Sequence, residues 1–116
     1  MASIKPYTIA VPDTKLQRLA QKLDATDFPD ELERAGWDYG APLADIKRLT
    51  RYWRETYDWK KQEAKINELP NFHTDIQVDG FEPLDIHFVY QKSDVGSAIP
   101  LLFCHGCKES FLTNRI

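Results

Sequence analysis

Two groups of residues carry side chains able to do chemistry. The first is Cys104-His105-Gly106-Cys107, a C-x-x-C with an imidazole inside it, in "PLLFCHGCKES" at residues 100–110. The second is a quartet in two alternating segments: His73 and Asp75 in "FHTDIQV", Asp85 and His87 in "LDIHFVYQ". A C-x-x-C at a helix N-terminus makes its first cysteine an acidic, nucleophilic thiol. Thiols with a histidine could also begin a zinc site, which needs four converging ligands. Histidines beside aspartates can accept and pass on protons. A third set, Trp37, Tyr39, Trp53, Tyr57 and Trp59, could line a pocket for an apolar molecule, although aromatics at such spacings commonly belong to a core.

Which chemistry survives depends on the elements that hold these residues. "IPLLFC", residues 99–104, is apolar at every position, the pattern of a strand covered on both faces. Cys104 then belongs to the strand and points into the core, which does not suit the redox mode. Cys104 and His105, as strand neighbours, would face opposite sides and could not both hold one metal. The expectation is a buried cysteine and a backbone-bonded histidine, with no metal and no cofactor.

The quartet lies in segments of period two. Phe72, Thr74, Ile76 and Val78 alternate with His73, Asp75 and Gln77, and Leu84, Ile86, Phe88 and Tyr90 alternate with Asp85, His87 and Val89. Asp79-Gly80 begins the turn between them. This predicts a β-hairpin with one buried face and with His73 and His87 on the polar one; paired across the hairpin they could titrate together, although half-exposed strand histidines are common and their placement alone assigns them no function.

Upstream, the pattern is helical. Residues 1–11 read as an extended arm marked by Pro6 and Pro12. Leu16, Leu19, Ala20 and Leu23 give one apolar stripe over residues 12–26, with Asp13 and Thr14 as N-cap or first-turn residues. A turn or short helix over 29–36 ends at Gly36. A second amphipathic helix covers 42–57, its apolar face formed by Leu43, Ile46, Leu49, Thr50, Trp53 and Tyr57. Asp58 caps a third helix over 59–69, stopped by Pro70. The predicted fold class is α+β: helices and loops over 1–70, then a hairpin and a third apolar strand over 71–106, then a divergent tail over 107–116.

Composition narrows the function classes. A chain of 116 residues fits a single domain, and its fourteen aromatic residues (three Trp, five Tyr, six Phe) supply material for a core. The net charge is −3 and no basic stripe is interleaved with aromatics, which argues against nucleic acid. The longest apolar run, residues 98–104, falls far short of the roughly 20 residues of a membrane span, and no apolar core of signal-peptide length opens the chain. No membrane association and a cytoplasmic location are expected.

The blocks "PYTIAVPDTKLQRLAQKL", "FPDELERAGWDYGAPLADIKRLTRYWRETYDWKKQEAKINELPNF" and "VDGFEPLDIHFVYQKS" resemble the N-terminal region of epoxide hydrolases of the microsomal and fungal type, in the α/β-hydrolase superfamily. The resemblance runs over about residues 4–106, the soluble fungal members being nearest. It implies that these residues open an α/β-hydrolase fold and that "PLLFCHG" leads into a His-Gly-Trp-Pro-Gly-Ser-Phe loop. There a backbone N–H serves the oxyanion hole. His105, Gly106, Ser110 and Phe111 match that loop, whereas Cys107, Lys108 and Glu109 replace its Trp, Pro and Gly. His105, Gly106 and Cys107 are thus residual oxyanion-loop positions, and the C-x-x-C is incidental. The resemblance also implies an Asp nucleophile, a His–acid pair and two lid tyrosines, all later in the family's sequence than residue 116. The expectation is a truncated chain without catalysis by that route.

In the implied fold, a later strand separates the hairpin from residues 98–104. An isolated copy would leave that segment unpaired, so a homodimer burying Leu101, Leu102 and Phe103 is expected, or association with a full-length hydrolase. The leading function is a structural and interaction domain. The alternative is a domain that binds or converts an apolar small molecule or epoxide through the aromatic set, with His73, Asp75, Asp85 and His87 as polar groups.

Overall fold

The computed structural model describes residues 3–104 and 106. Its elements run in the order β1 (Lys5–Pro6), α1 (Asp13–Asp24), α2 (Leu43–Glu55), α3 (Trp59–Asn67), β2 (Asn71–Ile76) and β3 (Leu84–Val89). They fall into two compact units. One spans Ile9–Ala64; the other joins the N-terminal residues through Thr8 to the chain from Lys65 onward. The architecture is α+β, as predicted.

In the helical unit, Leu16, Leu19, Ala20 and Leu23 form the half-buried stripe of α1. Pro12 occupies the N-cap position without a side-chain cap, and Asp13 lies in the first turn, where a carboxylate complements the helix dipole. Pro42 likewise offers α2 no capping side chain. Glu31 supplies one instead, its Oε1 accepting the Leu43 backbone N–H at 2.7 Å. The predicted short helix over 29–36 is a series of turns. Arg34 (φ 62°) and Gly36 (φ 52°) both take the left-handed conformation there, which breaks a helical run. Asp58 accepts the Lys61 N–H at 3.2 Å and caps α3 as expected. At the other ends of α1 and α2, Arg54 forks onto Asp24 at 2.6 and 2.9 Å.

The apolar face of α2 is the first departure from expectation. Ile46, Leu49, Trp53 and Tyr57 remain 38–51% exposed, so the helix is amphipathic but only half covered. The same holds generally. Among the described residues Ile66 is the one apolar side chain counted as buried, alongside polar Glu63 and Asn71.

In the second unit the sheet has the order β1-β2-β3, antiparallel throughout. The hairpin register pairs Phe72 with Phe88, Thr74 with Ile86 and Ile76 with Leu84 on one face. Asn71–Val89, His73–His87 and Asp75–Asp85 make the other. Gly80, at φ 83°, provides the turn conformation that L residues resist. The apolar face is covered only toward the Phe72–Phe88 pair, whose rings lie 5.7 Å apart, and is open at Ile76 and Leu84.

The third strand is not the one expected. The N-terminal arm takes that place: Lys5 and Pro6 pair with His73 and Phe72, and the Tyr7 N–H reaches the Asn71 carbonyl at 2.9 Å. Residues 98–104 form no strand, with Ile99, Leu101 and Leu102 between 87% and 91% exposed. Cys104 is exposed rather than buried. A strand exists only through a partner, and no other described segment pairs with these residues, so apolarity alone leaves them extended and bare.

Candidate functional site

The polar face of the hairpin brings the predicted quartet together and adds Tyr7 and Asn71. Register places His73 opposite His87, with ring centroids 5.3 Å apart. Tyr7, immediately after β1, stacks on His73 at 3.9 Å and meets His87 edge-on at 5.4 Å. His73 Nδ1 lies 2.9 and 3.1 Å from the two carboxylate oxygens of Asp85. Asp75 sits opposite Asp85 in the register, and a cavity of about 260 Å³ borders Lys5, Tyr7, His73, Asp75 and Asp85.

Asn71 organises the other end of this face. It is 4% exposed, and its amide Nδ2 donates to the Ile66 and Leu69 carbonyls at 2.9 and 2.7 Å. Ile66 lies in the last turn of α3, where its carbonyl also takes the Leu69 N–H at 3.1 Å, and Leu69 stands just past the helix. Because Nδ2 is committed to two acceptors, Oδ1 is an acceptor, so His87 Nε2, 2.9 Å away, donates to it. His87 titrates below its ordinary value, chiefly because burial disfavours the imidazolium and next because His73 is a neighbouring cation; Asp85 opposes this weakly. Asp85 on Nδ1 makes His73 one half of a histidine–carboxylate pair.

The helical unit holds an open apolar groove of about 920 Å³ lined by Leu16, Leu19, Leu23, Trp53, Tyr57 and Trp59 among others. Three of the five predicted pocket aromatics therefore border it. Trp37 and Tyr39 do not; they stand 70% and 84% exposed in the turns before α2. Near the groove, Glu63 is the anchor. Its Oε2 accepts the Val11 N–H at 2.6 Å and the Trp59 indole N–H at 3.0 Å, and Lys60 Nζ approaches Oε1 at 3.3 Å. The Val11 N–H is the main cause that holds the Glu63 carboxyl below its usual range; burial acts against it, and Trp59 and Lys60 add to it. Lys60 also donates to the Val11 carbonyl at 2.7 Å.

Gly106 is described, while His105 and Cys107 lie outside the described residues. Among the described residues no group of three or more His, Cys, Asp or Glu side chains converges as a metal set would. Sequence reasoning missed Tyr7, Asn71 and Glu63. The available signals were an amide directly after Pro70 at the end of a helix, and a carboxylate four residues after Trp59 on one helix face.

The family profile "Epoxide hydrolase N terminus" matches residues 4–114. The chain is 36% identical over 113 residues to juvenile hormone epoxide hydrolase 2 of Ctenocephalides felis, covering 95% of this chain and 23% of that protein. It is 34% identical over 113 residues to epoxide hydrolase 1 of Oryctolagus cuniculus, covering 94% and 24%. The solved epoxide hydrolase of Aspergillus niger superposes with a TM-score of 0.77 at 26% identity, over 95% of this chain and 28% of that one. The chain thus spans about a quarter of the length of these relatives. With both its sequence and its α+β geometry matched across nearly all of its length, the chain belongs to the epoxide hydrolase N-terminus family.

Proposed function

We propose that this chain is a structural and interaction domain without epoxide hydrolysis of its own, whose apolar surfaces are covered by an α/β-hydrolase core. One observation carries the reading: the described residues bury a single apolar side chain, while the face of α2 and residues 99–103 stand open. Side chains of that kind gain about 25 cal/mol for each Å² taken from water, so a surface this apolar favours a cover. The relatives are about four times longer by coverage, and our reading takes their further chain as that cover. Without such a core, a second copy covers Leu101, Leu102 and Phe103, giving a homodimer.

The test mixes the 116-residue chain with an Aspergillus niger hydrolase from which the matching N-terminal segment is deleted. Co-elution as a one-to-one complex is expected, with no turnover of styrene oxide by the chain alone. A chain that stays separate from the core and remains monomeric at high concentration would sink the reading.

The groove beside Trp53, Tyr57 and Trp59 favours a second reading, a domain that binds an apolar metabolite or epoxide. Quenching of Trp fluorescence by a small epoxide, with no protein partner present, would support it over the first.

A further inference from the structure

We propose that Tyr7, His73 and His87 form a proton-sensitive clasp that holds β1 on the sheet and releases it when both imidazoles are charged. The weakly held element is β1. It pairs through only two residues, Lys5 and Pro6. Its remaining hold is the Tyr7 N–H bond to Asn71 and the packing of the Tyr7 ring on the two histidines. That packing surface exists only while His73 and His87 lie side by side, 5.3 Å between centroids.

The charged and titratable groups around the pair come from all three strands. Lys5 of β1 stands opposite His73, Asp75 opposite Asp85, and Asp85 bonds His73. One imidazolium is accommodated by the Asp85 carboxylate. A second proton places like charges next to each other with Lys5 in register beside them, and repulsion separates the rings. His87 cannot simply turn away, because Asn71 Oδ1 holds its Nε2 and Asn71 is itself committed to the end of α3. The strain falls on the contact with least backbone support, Tyr7 and β1. The His87 titration is lowered chiefly by burial, and the neighbouring His73 lowers it further.

The experiment follows exchange of the Tyr7 backbone amide in the 116-residue chain from pH 8 to 5, corrected for intrinsic exchange. Protection is expected to fall severalfold as pH drops, since opening β1 relieves the second protonation. In His87→Gln, which keeps a donor for Asn71, protection should stay flat. A flat profile in the unmodified chain, or an unchanged slope in His87→Gln, overturns the clasp. A readout needing no variant is the ring-current shift that Tyr7 imposes on the His73 carbon-bound protons. It should vanish at low pH; persistence through the imidazole titration overturns the proposal equally.

Discussion

The Glu63 carboxylate receives the Val11 backbone N–H at 2.6 Å, across 52 positions of sequence. The same oxygen takes the Trp59 indole, so one 8%-exposed side chain fastens the segment before α1 to the first turn of α3. Glu63→Gln removes the charge from two hydrogen bonds and brings an amide donor toward two donors. It should lower the thermal midpoint by several degrees, on the order of 5 °C. Trp59 fluorescence should report the loosening directly, and an unchanged midpoint would show that Val11 is held by other contacts.

Glu63 also sets an acid limit. Its folded pKa lies below the ordinary 4.5, so this stabilisation is complete above that value and is lost as pH falls through the folded pKa. Urea midpoints between pH 5.5 and 3 should decline in the native chain and decline less in Glu63→Gln. Equal slopes would assign the acid loss to other carboxylates.

His87 acts in a higher window. Its folded pKa is depressed below 6.5, so between that lowered value and 6.5 the unfolded chain binds more protons. Stability therefore rises with pH across that window and begins to fall as pH drops through 6.5. Chemical denaturation at pH 7.5, 6.5 and 5.5 tests this, with His87→Gln expected to flatten the profile.

Asn71→Ala removes the amide donor from the Leu69 carbonyl, one of the two donors on the Ile66 carbonyl, and the acceptor that His87 Nε2 meets. Buried groups stripped of a hydrogen bond cost about 1–3 kcal/mol each before water or relaxation compensates. A loss of at least about 2 kcal/mol is expected, read by urea unfolding. A loss below about 0.5 kcal/mol, within the range of an ordinary surface change, would mean that solvent replaces the amide.

Leu101→Asp with Leu102→Asp places charge on two side chains that are 89% and 87% exposed. The circular dichroism of the chain should stay the same, while self-association in light scattering and binding to a hydrolase core both disappear. Retained association would move the interface to the face of α2.

Much of this molecule is readable from residue spacing, and the parts that are not share a cause. The stripe of α1, the Asp58 cap and the placement of His73 and His87 on the polar face of the hairpin follow from local periodicity, which acts within a few residues. Residues 98–104 misled because an apolar run specifies what the segment needs and not whether anything meets it. The same holds for the α2 face. Asn71 and Glu63 left only faint signals, the amide after Pro70 and the carboxylate four residues after Trp59, because each serves backbone groups and backbone leaves no mark in a residue pattern. Trp37 and Tyr39 share the composition of the groove aromatics but stand in turns whose left-handed residues, Arg34 and Gly36, set the chain's direction beforehand.

Pro6 gives the sheet a direction of growth. Its ring gives no N–H to a strand beyond β1, whereas among the described residues 74–76 of β2, on the side toward β1, and the outer side of β3 meet no strand. The two rims of the sheet are therefore unequal, and an incoming strand finds more backbone to pair with along β3 than beside β1.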